Sequence, residues 1–193
     1  MRVILTGFEP FGSSDMNSSW ETAVRVKQLP HTGIELEVLQ LPVSFKRAGK
    51  AIREILQTKR PDILVMLGQR GKGQSIDIER IAVNLMDSAN PDNDGYCPQE
   101  QMICSGGKSA YFSNLPVKIL RDALLQKNIP AKVSNSAGLY VCNSTYYNAL
   151  NEIEKYSLQE KAVFVHLPKL SQDFPVELLA ESVKTIIERI QVI

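Results

Sequence analysis

Short apolar runs and longer stretches with helical spacing alternate along this chain of 193 residues. The apolar runs have the length of buried strands and lie at residues 3–6, 34–41, 63–67, 131–134 and 162–167. Between most of them, apolar residues recur every three or four positions, which predicts helices at residues 20–28, 44–59, 116–127, 142–156 and 175–190. Strands that alternate with helices are typical of a three-layer α/β domain.

The middle of the chain departs from this alternation. Apolar and polar residues alternate through residues 76–85, but the phase slips near Glu79 and Arg80, which predicts a bulge or a bend. Residues 87–107 are rich in turn-forming residues and have room for two short strands or a hairpin. We therefore expect a mixed, mostly parallel central sheet in a single α/β/α domain over residues 1–193.

Composition narrows the classes of function. Lys and Arg number 22 and Asp and Glu 21, so the net charge is +1 and no basic excess indicates a nucleic-acid partner. No apolar run approaches the roughly 18 residues of a membrane helix. The apolar stretch within residues 1–7 is too short for the core of a signal peptide. We expect neither nucleic-acid binding nor a membrane association.

The three cysteines, Cys97, Cys104 and Cys142, lack the Cys-x-x-Cys spacing of a zinc site, and the two histidines are dispersed. A reducing cytoplasm is the natural compartment for such an odd set of thiols. We interpret Cys97 and Cys104 as structural or incidental.

Cys142 lies where an extended run meets a Gly turn and a helix begins. The N–H groups at a helix start carry partial positive charge, which favours the thiolate, the reactive form of cysteine. We expect Asn143 or Ser144 near the cap of this helix. The alternative interpretation is a buried structural cysteine, which is common in proteins.

Two further residues are candidates to act with this thiol. His166 lies in an apolar strand, and polar groups at the carboxyl ends of strands often line the ligand crevice of α/β sheets. Glu79 lies among apolar residues and needs a partner, because an unpaired buried charge is costly. That partner is either Arg80, in a structural ion pair, or an imidazole. The second option gives a Cys–His–Glu triad of nucleophile, base and orienting group.

Two aromatic residues, Phe8 and Phe11, lie in a Gly- and Pro-containing loop just after the first strand. They are either core fillers or walls of a small apolar pocket.

Taken together, these segments resemble the pyroglutamyl peptidase I family of cysteine peptidases, also called pyrrolidone carboxyl peptidases. The similarity extends along the whole chain and includes residues 7–11, 17–20, 68–69, 78–84, 91–95, 134–143 and 165–168. It implies a cytoplasmic, homotetrameric enzyme of α/β/α fold that removes N-terminal pyroglutamate from peptides. It also implies that no metal ion or organic cofactor is needed.

The resemblance assigns roles to individual residues. The family's triad falls on Glu79, Cys142 and His166. Its substrate-binding positions fall on Phe8, Phe11, Val43, Gln69, Asn90, Tyr140 and Val141.

The chain departs from the family at two places. Asp77 stands where a Ser or Thr is usual, and residues 88–90 read Ser-Ala-Asn where an Ala/Phe-Arg-Ile type of stretch is common. Two alternatives stay open beside the peptidase. One is a cysteine amidase or a redox-reactive thiol protein on a similar sheet, and the other is a non-catalytic protein that binds a pyroglutamate-like ligand.

Overall fold

Residues 1–71 and 73–193 are described by a computed structural model, and the strands in this part of the chain form two sheets. The strands are β1 (Arg2–Phe8), β2 (Glu35–Leu41), β3 (Ile63–Arg70), β4 (Ile76–Glu79), β5 (Ile81–Val83), β6 (Ala110–Phe112), β7 (Ala131–Ser134) and β8 (Lys161–Pro168). The large sheet has the order β2-β1-β3-β8-β4-β7. Only the β4–β8 pair of this sheet is antiparallel, so the sheet is mixed and mostly parallel, as predicted.

The helices form where helical spacing predicts them. They are α1 (Ser18–Lys27), α2 (Phe45–Glu54), α3 (Val117–Leu125), α4 (Val141–Lys155) and α5 (Val176–Gln191). Asn17 and Ser44 cap α1 and α2, because each side chain accepts a hydrogen bond from a backbone N–H of the first turn. The predicted helix over residues 44–59 is present as α2 followed by one π-helical turn, Ile55–Lys59.

Both faces of the large sheet are buried, because its central strands are apolar on both sides. On β8, Val163 and Val165 pack in a core with α1, α3 and α5, while Phe164 packs on the opposite face with α2 and α4. The result is three layers, α/β/α, which confirms the predicted fold class. None of the helices in the described part of the chain is both long and apolar enough to span a membrane.

Sheet pairing brings distant residues to one edge of the fold. Strands β1, β3 and β8 are parallel, so their carboxyl ends lie together. On β8, His166 is paired in register with Gly68 of β3 on one side and with Asp77 of β4 on the other. The candidate histidine therefore lies between two strands that both contribute to the site described below.

The phase slip near Glu79 proves to be a change of sheet. Strand β4 ends at Glu79, and β5 begins at Ile81 in a separate pair with β6. The partner of β5 thus lies beyond the turn-rich segment. Arg80 alone separates the two strands, so the two halves of one alternating run belong to different sheets.

No hairpin is formed among residues 87–107, so that expectation is wrong. The ladder contact at this segment is an isolated bridge between Met86 and Gln101. The Asp92 carboxylate accepts hydrogen bonds from the N–H groups of Asp94 and Tyr96, at 3.0 and 2.9 Å. Such local bonds from side chain to backbone take donors that a strand ladder would need.

Candidate active site

Cys142 lies in the first turn of α4. The helix begins at Val141, after Tyr140 in an extended conformation, and Gly138 forms the preceding turn with φ +77°. No side chain makes a capping hydrogen bond at this helix start, so its first N–H groups lack a partner within the helix. These groups stabilise negative charge on a nearby sulfur atom.

The predicted cap at Asn143 or Ser144 is wrong. Asn143 instead ties α4 to β5: its Oδ1 accepts from the N–H of Val83 at 2.9 Å. Its amide group donates to the carbonyls of Val83 and Leu85 at 2.9 and 3.0 Å. The side chain therefore fixes the helix start against the small sheet and leaves the helix N–H groups uncapped.

Gly68 makes room for the sulfur atom. A Cβ atom at this position would lie 3.0 Å from Sγ of Cys142 and 2.8 Å from the ring of Phe164. Real Cβ contacts are rarely so short, because packed interiors leave no free space to relax into. The absence of a side chain on β3 thus lets α4 bring its thiol against the sheet.

A buried hydrogen bond joins His166 and Glu79. Nδ1 of His166 lies 2.8 Å from Oε1 of Glu79, and both side chains are almost fully buried. With Nδ1 donating to the carboxylate, Nε2 is the nitrogen left to interact with the thiol. The expected contact between Glu79 and an imidazole is therefore present.

The charge state of His166 follows from these neighbours. Burial lowers the pKa of the imidazole, but the charge of Cys142 and hydrogen bonds to Cys142 and Glu79 outweigh burial and raise the pKa of His166 to about 9. The imidazole is accordingly protonated at neutral pH. This arrangement is the one that a thiol nucleophile, an imidazole base and an orienting carboxylate require.

Arg70, which the sequence did not single out, is the cationic partner of Glu79. Its Nη2 donates to Oε1 of Glu79 at 3.0 Å, and its Nη1 lies 2.9 Å from Oδ2 of Asp77. The proposed alternative partner, Arg80, follows Glu79 directly in sequence, and neighbouring side chains of an extended segment point to opposite faces. Arg70 comes from β3, so only the packing of strands could have revealed the pair.

A small pocket lies beside Cys142. Its volume is about 40 Å³, which is room for about three water molecules and suits a small ring. It is lined by Phe8, Phe11, Asn17, Val43, Gln69, Tyr140, Val141 and Cys142. Six of the seven substrate-binding positions that the resemblance assigned thus lie together, and Asn17 joins them.

Two polar side chains of the pocket are held in place. Oε1 of Gln69 accepts a hydrogen bond from the N–H of Ser18 at 2.8 Å, which leaves the amide hydrogens of Gln69 as donors. The hydroxyl of Tyr140 donates to the carbonyl of Pro91 at 2.9 Å. Burial and the negative charges of Asp92 and Cys142 raise the pKa of Tyr140 to about 12, so it stays a neutral phenol.

Asn90, the seventh assigned position, is exposed and does not line this pocket. Its N–H and carbonyl both bond to the hydroxyl of Ser88, at 3.1 and 2.7 Å. Its role in substrate binding stays a prediction.

A larger cavity of about 470 Å³ lies between α2, α4 and the segment 86–103. It offers more space than the small pocket, but its lining does not include Cys142. The small pocket is the candidate for substrate binding, because a reacting carbonyl has to lie within contact of the nucleophile.

Asn17 lines the pocket, although the sequence indicated only that it belongs to residues 17–20, one of the segments that resemble the family. Its position just before a helical stretch is the signal for a helix cap, and its Oδ1 does accept from the N–H of Ser19 at 3.1 Å. Its amide also donates to the carbonyl of Glu9 at 2.9 Å, which ties α1 to the loop after β1. Nothing in the local pattern indicated that the same residue would face the pocket.

An α/β sheet that presents a thiol at a helix start, an imidazole–carboxylate pair beside it and a small apolar pocket is typical of a cysteine hydrolase. The sequence model of the family described as pyroglutamyl peptidase matches residues 1–191. The chain belongs to this family of peptidases.

Individual relatives agree with this assignment. The chain is 43% identical over 170 residues to the pyrrolidone-carboxylate peptidase of Thermococcus onnurineus, covering 87% of this chain and 84% of the relative. The crystal structure of pyrrolidone carboxyl peptidase from Fervidobacterium islandicum superposes with a TM-score of 0.93 at 35% identity, over 100% of this chain and 99% of that one. Pyroglutamyl peptidase I from Bacillus amyloliquefaciens gives a TM-score of 0.91 at 31% identity, over 97% and 93% of the two chains.

Proposed function

We propose that this chain is a cysteine exopeptidase that hydrolyses the amide bond after an N-terminal pyroglutamyl residue, with Cys142 as nucleophile, His166 as acid and base, and Glu79 as the orienting group. The observation that carries this proposal is the buried 2.8 Å bond between His166 and Glu79, placed beside a thiol and a ring-sized pocket. Membership of the pyroglutamyl peptidase family supports the choice of acyl group.

The pocket has the chemistry that a pyroglutamyl ring requires. This lactam is compact, largely apolar and uncharged, so Phe8, Phe11 and Val43 pack against its faces. The amide of Gln69 and backbone groups near Val141 pair with its C=O and N–H. A free N-terminal ammonium would lose its water here without gaining a counter-charge, so ordinary amino termini are rejected.

Acylation starts with attack of the Cys142 thiolate on the pyroglutamyl carbonyl carbon. The carbonyl oxygen becomes an oxyanion, for which the N–H of Cys142, in the first turn of α4, is the candidate donor. The imidazolium of His166 gives its proton to the leaving amine as the C–N bond breaks. A thioester and a neutral imidazole result.

Deacylation reverses these roles. The neutral imidazole of His166 takes a proton from water while the water oxygen attacks the thioester carbon. The C–S bond breaks, pyroglutamate leaves, and the thiolate–imidazolium pair forms again. Glu79 holds the ring in one orientation in both half-reactions.

The test is release of a fluorescent amine from its pyroglutamyl amide, measured beside the prolyl and glutamyl amides. We expect turnover of the pyroglutamyl amide only, loss after treatment with iodoacetamide, and loss in Cys142→Ser. Cys97→Ser is the matched control, because Cys97 is a free and exposed thiol that does not line the pocket. Equal turnover of prolyl and pyroglutamyl amides would refute the assigned acyl group. Thermal stabilisation by pyroglutamate without hydrolysis would point to a binding protein instead.

The cellular setting is part of the same proposal. The three cysteines are free, which suits a reducing cytoplasm. We further propose one catalytic domain that assembles as a homotetramer acting on peptides. Light scattering of the purified protein tests the assembly, and a monomer mass with full activity would contradict it.

A further inference from the structure

A buried cluster of charged groups lies behind the candidate triad. Arg70 of β3 binds Oε1 of Glu79 at 3.0 Å through Nη2, and its Nη1 lies 2.9 Å from Oδ2 of Asp77. Nη2 also donates to the carbonyl of Ser136 at 3.1 Å, in the loop that leads to Cys142. One guanidinium therefore contacts the orienting carboxylate, a second carboxylate and the segment before the nucleophile.

The two carboxylates need this cation. Asp77 and Glu79 are two positions apart on β4, so their side chains leave the same face of the strand. Their side chains are 1% and 0% exposed, and like charges that close inside a protein repel each other strongly. The Arg70 side chain is 33% exposed and contacts both, so it neutralises them while one edge stays in water.

We propose that Arg70 is a positioning residue of this enzyme, which keeps the Glu79 carboxylate aimed at His166, and that Asp77 holds Arg70 in place. The proposal rests on the function proposed above. It assigns a role to the departure at position 77, where the resemblance leads one to expect a Ser or Thr.

The geometry at Glu79 explains why a second partner matters. Oε1 takes both bonds, one from Arg70 and one from His166. Oε2 is buried and has no hydrogen-bond partner among the residues that the structure describes. Without Arg70 the carboxylate would keep only the imidazole as a fixed contact, and its rotation would turn the imidazole with it.

Asp77 balances the charge of Arg70. Its Oδ1 accepts from the hydroxyl of Ser75 at 2.7 Å, and Oδ2 lies 3.6 Å from Nζ of Lys132. A guanidinium paired only with Glu79 would compete with His166 for the same oxygen atom. Asp77 takes one arm of the planar fork, which leaves the other arm for Oε1 of Glu79.

The charged and titratable groups that the structure describes around Glu79 come from five elements. Strand β3 contributes Arg70, β4 contributes Asp77, β7 contributes Lys132 and β8 contributes His166. Helix α4 brings Cys142 and the hydroxyl of Tyr146, which donates to the backbone carbonyl of Glu79 at 3.3 Å. A pH profile of the enzyme thus reports on a defined set of groups.

A double-mutant cycle on Arg70 and Asp77 tests the proposal. We expect Arg70→Met to lower kcat/KM by roughly 10- to 100-fold through kcat, with KM little changed because Arg70 does not line the pocket. The acid limb of the profile should move to higher pH, because the variant removes a positive charge next to the Glu79–His166 pair. Arg70→Lys keeps the positive charge but loses the planar guanidinium with its two donor arms. The acid limb of its profile should therefore stay near that of the wild type, while kcat falls.

The double variant Arg70→Met/Asp77→Ser removes the cation and the repelling anion together. It should therefore lose less activity than the product of the two single effects. Arg121→Met is the matched control, because Arg121 is 31% exposed and pairs with Asp122 on α3, away from the site. Its profile should equal that of the wild type.

A second measurement does not depend on turnover. The Nδ1–H of His166 that donates to Glu79 should give a downfield proton NMR resonance, and the intensity of this resonance should fall in Arg70→Met. An unchanged acid limb and an unchanged resonance in folded Arg70→Met would overturn the proposal. If that variant does not fold, Arg70→Lys and Asp77→Ser take its place. Effects of these two substitutions on kcat that simply multiply when they are combined, or an unchanged resonance in each of them, would overturn the proposal. A wild type without peptidase activity would refute the proposed function, and the NMR result would still decide the role of Arg70.

Discussion

Replacing the sulfur of Cys142 by oxygen should change the charge state of His166. In the wild type, Cys142 and Glu79 both act on the imidazole, and both raise the pKa of His166. A serine hydroxyl retains a hydrogen-bonding group of similar size but does not ionise in the accessible pH range. Cys142→Ser therefore removes one negative charge from the pair and leaves Glu79 in place.

The size of the change follows from the pKa of His166. It is raised from the ordinary 6.5 to about 9, although burial alone would lower it. That rise corresponds to ~3 kcal/mol in favour of the imidazolium. Cys142 contributes ahead of Glu79 to the rise, so we expect the pKa of His166 in Cys142→Ser to fall well below its wild-type value.

The assay is an NMR titration of the imidazole signals between about pH 5 and pH 10. The chain has only two histidines, so two sets of signals are expected, and His31→Gln assigns one of them. The Nε2 atom of His31 contacts the carbonyl of Val26 at 2.9 Å, in a segment away from the triad, so its signals serve as the internal reference. Alkylation of the wild-type thiol removes the same charge and should have the same effect as serine.

A pKa of His166 that stays near 9 in both the serine variant and the alkylated protein would refute this reasoning. The thiolate would then contribute nothing to the protonation of the imidazole. Circular dichroism of each sample ensures that the comparison is made between folded proteins.

The remaining predictions concern activity. The proposed mechanism has the leaving amine take its proton from the imidazolium of His166, so kcat/KM should decline as the pH rises through about 9. A profile that stays level to higher pH would contradict that role. Glu79→Gln should lower kcat by about 10²-fold or more, because it disturbs the orientation of His166 and not bond formation. This loss should be smaller than the roughly 10³-fold or greater loss expected of Cys142→Ser. Phe8→Ala should raise KM for the pyroglutamyl amide, and wild-type kinetics would remove this ring from the pocket. Gly68→Ala should impair activity because its Cβ would lie 3.0 Å from the nucleophilic sulfur, while Gly71→Ala, with nothing within 4 Å, is the control and should be silent.

Most of the strands and helices could be predicted from local sequence patterns. The apolar run at residues 63–67 and the helical spacing at residues 175–190 correspond to β3 and α5, because burial imposes a period on the sequence itself. The sequence pattern predicted local structure least well where polar side chains form hydrogen bonds with backbone groups. Asn143 has the composition of a helix cap but bonds to Val83, and residues 87–107 have turn signals but form no hairpin.

The sequence by itself determined that this is an α/β protein of the pyroglutamyl peptidase family, with a thiol at a helix start and one candidate histidine. Strand register alone decided that His166 lies between Gly68 and Asp77, and that Glu79 is shared by His166 and Arg70. The physical reason is that periodicity reports burial along one element, whereas a hydrogen bond between β3, β4 and β8 depends on how those elements align. Such alignment follows from packing of the whole sheet, and no segment of the chain encodes it alone.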